Sequence, residues 1–150
     1  VRRVLLEQAA LSLAEAPRGW DISLGEELLR PTRIYVPAVK SLLGKFPVNG
    51  AAHITGGGLV GNLPRILKPG LQILLKEGSW PVPPVFNLIE ELGPVNRQEM
   101  YRVFNMGIGF ALVVPPDQSG GIIAGLERAG VAAYEIGTVA TGDPAIVIGV

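Results

Sequence analysis

The chain has 150 residues, 48% hydrophobic and 17% charged, with 13 basic against 13 acidic side chains and a formal net charge of zero. That is enough apolar material for one folded domain and argues against disorder and a basic nucleic-acid surface; no apolar run approaches the ~18 residues of a membrane span. With no cysteine and a single histidine, His53, disulfides, thiolate chemistry and multi-histidine metal sites are excluded.

The charged fraction lies below the ~25% of ordinary soluble domains, and mean hydropathy is +0.37. The low charge predicts either an apolar face normally covered by another body or a tightly folded monomer. Residues 1–14 read as a helix, with Val1, Val4, Leu5 and Ala9 as its apolar positions. It starts without a methionine or a cap, which reads as a cut end, and its apolar stretch is too short for a signal peptide. Ser23 caps a short helix through Leu29, with Glu26 completing a capping box, and Pro31 stops it. A helix follows over 35–45, with Pro37 tolerated in its first turn.

Gly50–Thr55 is a strand candidate that runs into Gly56-Gly57-Gly58. Pro64 then requires a regular helix to begin close to Asn62, its expected N-cap. Leu71–Lys76 reads as a strand, 84–92 and 96–103 as helices. Over 104–114 the alternation of Phe104, Met106, Ile108, Phe110, Leu112 and Val114 predicts another strand, with Asn105, Gly107, Gly109 and Ala111 on its opposite face. Asp117 is the expected cap of a helix ending at Gly130. Ala132–Ala140 and Ala145–Val150 read as a closing hairpin across Thr141-Gly142-Asp143-Pro144. The alternation defines an α/β (α+β) domain over 1–150 with a mixed sheet.

Four places carry possible chemistry. Thr55-Gly56-Gly57-Gly58 brings bare backbone N–H groups close to an anion, or is simply a tight turn; it is neither a Walker A loop nor a dinucleotide fingerprint. His53 either orients a substrate and moves a proton or serves as a structural hydrogen-bonding residue. The glycine-rich face with Asn105, Gly107 and Gly109 admits a ligand or a close-packed helix. Arg33 holds a phosphate or carboxylate, or caps a neighbouring carbonyl. The carboxylates of Asp21, Glu26, Glu27, Glu90 and Glu91 read as solvated helix faces, with no metal-ligand spacing among them.

Taken in order, the segments Leu29-Arg30-Pro31-Thr32-Arg33-Ile34-Tyr35-Val36, His53-Ile54-Thr55-Gly56-Gly57-Gly58, Asn62-Leu63-Pro64-Arg65, Ser79-Trp80 with Pro84-Val85-Phe86, and Glu99 to Gly109 resemble one family. It is aminoimidazole ribonucleotide synthetase, or phosphoribosylformylglycinamidine cyclo-ligase, in its carboxy-terminal domain. Ala133-Tyr134-Glu135-Ile136-Gly137-Thr138-Val139 is similar too. Selenophosphate synthetase and thiamine monophosphate kinase share the threonine–glycine turn but not the arginine–tyrosine and Phe104-Asn105-Met106-Gly107 segments.

The resemblance implies a three-layer α/β/α fold and a cytoplasmic enzyme of purine biosynthesis. ATP would phosphorylate the formyl oxygen of formylglycinamidine ribonucleotide, and a substrate nitrogen would then close the imidazole ring. It also implies that ATP and Mg²⁺ are held mainly by an amino-terminal half outside this chain, which forms the homodimer, so the chain alone is expected to be inactive. The family's glycine turn matches Thr55, Gly56, Gly57 and Gly58, and its Asn-x-Pro-Arg matches Asn62 and Arg65. His53, Arg33, Asn105 and Gly107 complete the candidate substrate- and phosphate-binding set; no catalytic residue or metal ligand carries over. The alternatives are a non-enzymatic module binding a phosphorylated metabolite, and a sibling kinase or selenophosphate synthetase domain.

Overall fold

Leu71–Leu75 (β2) is nearly all apolar, the composition of a strand covered on both faces, and it sits at the centre of a three-stranded sheet. In the computed structural model, which describes every residue except Pro144 and Val150, its neighbours are Gly137–Thr141 (β4), antiparallel, and Ile146–Ile148 (β5), parallel. The sheet is therefore mixed. The expected closing hairpin is not formed: β4 and β5 flank β2 in the order β4-β2-β5 instead of pairing with each other. A more apolar strand has taken the place between them, because β2 has two faces to bury. Pro144, in the expected hairpin turn, and Val150, at the end of its second strand, lie outside the described residues.

A second, two-stranded antiparallel sheet pairs Gly50–His53 (β1) with Phe110–Val113 (β3), Gly50 opposite Val113 and His53 opposite Phe110. The helices are Leu24–Leu28 (α1), Val36–Leu42 (α2), Gly58–Asn62 (α3), Pro84–Leu92 (α4), Arg97–Val103 (α5) and Ser119–Arg128 (α6). The α+β class thus stands, with its strands divided between two sheets, one of them mixed. The capping box at α1 is formed. Ser23 Oγ accepts from the Glu26 N–H at 3.2 Å, and Glu26 Oε2 accepts from the Ser23 N–H at 2.8 Å.

Four local readings need correction. The first helix covers only Arg3–Gln8 and is wound as a π-helix; Ala10 then turns to φ +52 and ends it. Asn62 caps no helix: α3 starts four residues earlier, and Pro64 falls in a 3₁₀ turn over Leu63–Ile66. Asp117 likewise lies in a 3₁₀ turn, Pro116–Gln118, ahead of α6. Residues 105–107 are not strand. Met106 has φ +51 and Gly107 φ +95, and Asn105 Oδ1 accepts from the Gly107 N–H at 3.1 Å. The alternating apolar residues of that stretch are buried from a turn, with Met106 fully enclosed. Trp80 Nε1–H donates to the Met106 carbonyl at 2.9 Å and holds that conformation.

One core joins these elements: Leu5, Leu24, Leu59, Leu75, Ile89, Met100 and Met106 are all at or near complete burial. Each aliphatic side chain removed from water contributes about 1.5–3 kcal/mol. Glu77, just past β2, is tied to α5, where Arg97 Nε donates to it at 2.8 Å and Tyr101 Oη at 3.1 Å, and Arg97 Nη1 in turn donates to Glu90 of α4 at 2.9 Å. The Arg97 hydrogen bond holds the Glu77 carboxyl below its ordinary range.

Candidate functional site

The β1–β3 pairing continues past the last strand residues, since Ile54 N–H donates to the Gly109 carbonyl at 2.9 Å. This lays the glycine turn beside the 104–109 loop. Between them is a cavity of about 370 Å³ lined by residues that include Thr32, His53, Thr55, Gly56, Phe86 and Asn105. Phe86 of α4 and Phe104 give one apolar wall, their ring centroids 5.4 Å apart. His53 is exposed, 5.9 Å from the Tyr35 ring and 6.1 Å from Phe110. The space that a side chain at Gly109 would need is filled by the Tyr35 ring. Close packing, the plainer of the two readings of that glycine face, accounts for Gly109.

The glycines of the turn have three different reasons to be glycine. Gly58 (φ +57) lies against the carbonyl oxygens of Tyr101 and Phe104, where any β-carbon would overlap; this lets α3 pack on α5. Gly57 has φ +96, a conformation side chains disfavour. Gly56 has neither a positive φ nor an atom within 4 Å of where its β-carbon would stand. It faces the cavity, and no contact within the protein requires it to be glycine.

Among the described residues, the Gly56 and Gly57 N–H groups donate to no protein acceptor. The Gly58 N–H turns back onto the Thr55 carbonyl at 3.1 Å. Asn62 is buried at 3% exposure behind the turn, its side-chain amide donating to the carbonyls of Gly58 at 2.7 Å and of Thr55 and Gly56 at 3.3 Å.

Other candidates lie elsewhere. Arg33 Nη1 donates to the Gly130 carbonyl, past the end of α6, at 2.9 Å; of the two readings of Arg33, the carbonyl cap is the one present. Arg65 is exposed on its 3₁₀ turn and does not line the cavity. Gly107 packs against Pro81 and Pro83, whereas Asn105 does reach the cavity. The lining contains no Lys, Arg, Asp or Glu. Among the described residues no three His, Cys, Asp or Glu side chains converge as metal ligands, and no helix is long and apolar enough to cross a membrane. The lining residues that sequence reasoning did not single out are Thr32, Ile54, Phe86, Val103 and Phe104. Their segments stood out only as part of a longer pattern.

The family described as "AIR synthase related protein, C-terminal domain" matches residues 3–149, and the chain belongs to it. Its particular relatives include phosphoribosylformylglycinamidine cyclo-ligases. The chain is 48% identical over 142 residues to that of Geobacillus kaustophilus, 45% over 143 to that of Bacillus subtilis and 44% over 143 to that of Syntrophus aciditrophicus. Each match covers 95% of this chain but 41% of the relative, so the chain spans about two-fifths of the length of these curated relatives.

Proposed function

We propose that the chain is the substrate-side portion of an ATP-dependent, ADP-forming cyclo-ligase that converts formylglycinamidine ribonucleotide to aminoimidazole ribonucleotide in cytoplasmic purine biosynthesis. The observation that carries this reading is 48% identity sustained over 95% of the chain to a protein of that name. In this reading the substrate's phosphate lies on the Gly56 and Gly57 amides beside the Thr55 hydroxyl, and Thr32, His53 and Asn105 meet its polar groups. Arg33 and Arg65 lie outside the cavity lining and contribute no direct contact to the phosphate.

The cavity lining has no charged side chain, while phosphoryl transfer from ATP needs cations at the transferring group. Mg²⁺, the acids that hold it and most ATP contacts are therefore assigned to the portion of the relatives' length outside this chain, together with the homodimer contact. The surface supports such a partner. Leu29, Ile34 and Val36 are 83, 78 and 63% exposed within one short stretch. The chain presents 9120 Å² to solvent, where a folded monomer of its mass presents about 7,300 Å².

The test is to express the gene with whatever flanks these residues and to measure ADP release that depends on formylglycinamidine ribonucleotide. Release by the flanked protein and none by the isolated 150 residues is the expected result. Release that depends on thiamine monophosphate or selenide would overturn the assignment. Turnover by the isolated chain would overturn the division of labour.

A further inference from the structure

Among the described residues, Asn62 is the only one classed as polar or charged that is buried. It is committed to the turn: its amide nitrogen reaches the carbonyls of Gly58, Thr55 and Gly56 at 2.7, 3.3 and 3.3 Å. With two hydrogens to give, it makes one short bond to Gly58 and shares the other between Thr55 and Gly56. In a planar trans peptide the carbonyl of one residue and the N–H of the next point in opposite directions. Drawing the Thr55 and Gly56 carbonyls inward therefore turns the Gly56 and Gly57 N–H groups outward. Neither of these N–H groups donates to an acceptor among the described residues, nor does that of Thr55, whose preceding carbonyl Asn62 does not touch, and Gly56 lines the cavity.

We propose that Asn62 is a positioning residue. It touches no ligand, and by holding these carbonyls it preorganises the Gly56 and Gly57 amides as a cradle for the oxyanion of a phosphomonoester. The cradle does not depend on a helix dipole, since α3 has only five residues and a macrodipole is a property of longer aligned runs. Nor does Asn62 act as a helix cap. Its bonds go back to carbonyls, so its effect on N–H groups is transmitted through the peptide planes. Donors fixed before the ligand arrives need no ordering at the moment of binding, which is where preorganisation raises affinity.

The inference rests on the phosphate reading of the turn given above, and the experiment separates the two. The chain is labelled with ¹⁵N-glycine and titrated with ribose 5-phosphate while the Gly56 and Gly57 amide signals are followed. Wild type is expected to show saturable shifts at both. Asn62→Asp, with the same shape but no donor, is expected to bind about tenfold or more weakly while the glycine signals remote from the turn stay in place. Should the buried carboxylate unfold the chain, Asn62→Ser, neutral and too short to reach all three carbonyls, takes its place with the same expectation. A folded variant that binds within about twofold of wild type overturns the role of Asn62 alone. No response from wild type overturns the phosphate reading beneath it. A purely structural asparagine would lower the melting temperature and leave ribose 5-phosphate affinity untouched in the folded population.

Discussion

Replacing each glycine of the turn by alanine separates its three structural reasons. At Gly58 the new methyl overlaps the Tyr101 and Phe104 carbonyl oxygens. These belong to backbone that cannot rotate away, so overpacking costs about 1–3 kcal/mol. The φ of +57 adds about 1–2 kcal/mol for a residue with a β-carbon. Gly58→Ala should therefore lose about 2–5 kcal/mol. At Gly57 the nearest non-neighbouring atom is 3.6 Å from the added carbon, an ordinary contact, and only the backbone term of about 1–2 kcal/mol remains. At Gly56 neither term applies. Alanine there should leave stability unchanged or raise it by about 0.4–1 kcal/mol through the less flexible unfolded chain.

Urea unfolding followed by circular dichroism reads the series directly. Each kcal/mol also moves the melting temperature by about 2–4 °C in a chain of this size. Gly56→Ala should nonetheless weaken ribose 5-phosphate binding, because its methyl enters the cavity. A Gly56→Ala protein destabilised as much as Gly58→Ala would refute the reasoning. So would a series in which all three variants lost similar stability.

Two further outcomes concern the scaffold. Trp80→Phe deprives the Met106 carbonyl of its donor at 2.9 Å and should cost at least about 1–3 kcal/mol by urea unfolding; a loss under about 0.5 kcal/mol would show that the bond does not hold the turn. The carboxyl of Glu77 titrates below its ordinary value of 4.5, chiefly through its Arg97 hydrogen bond. Its stabilising contribution is thus present above that pH and fades as the pH falls through the lowered folded value. Arg97→Gln should lower stability at neutral pH and progressively less in acid, as followed by melting temperature from neutral pH into acid. Both side chains are 37% exposed, so the effect should stay under about 1 kcal/mol, and a difference that grew in acid would contradict the sign.

Local chemistry was legible in the sequence wherever one element's own residues decide it. The Ser23–Glu26 box and Pro37 at the start of α2 are read from short spacings, and α4 over Pro84–Leu92 falls where its apolar pattern places it. Partners distant in the chain were not legible. Nothing near Gly137–Ile148 says that β2, more than sixty residues earlier, will come between the last two strands. The unbroken apolar run Leu71-Gln72-Ile73-Leu74-Leu75 was the available hint, since a central strand buries both faces. The 104–110 stretch misled for another reason. Its glycines fall at every second position and preserve the period of a strand, while Met106 and Gly107 take the positive φ that breaks it. Asn62 was misread because a cap is the commonest use of asparagine beside a helix, and its bonds to carbonyls across the turn leave no trace in spacing.

The absence of charge from the cavity lining fits a particular division of work. A group that is bound but not transformed gains little from strong local fields, because holding substrate and transition state equally tightly does not speed the chemical step. Two neutral amides, a threonine hydroxyl and an asparagine amide give such a group direction and modest affinity. The phosphoryl group in transfer is different: charge redistributes on it during the reaction, and cations aimed at that charge accelerate the step. If the ribonucleotide's own phosphate rests on Gly56 and Gly57, this chain orients the substrate, and the reacting end must project from the cavity toward whatever supplies the cations. The exposed Ile34 and Val36 flank Tyr35, which packs against Gly109, and the exposed Leu29 lies three residues before Thr32, which lines the cavity. A body docked on those side chains would therefore sit within reach of the cavity's Thr32 edge. In the proposed reading such a body would meet the substrate's projecting end at that edge, and its docking would complete the site.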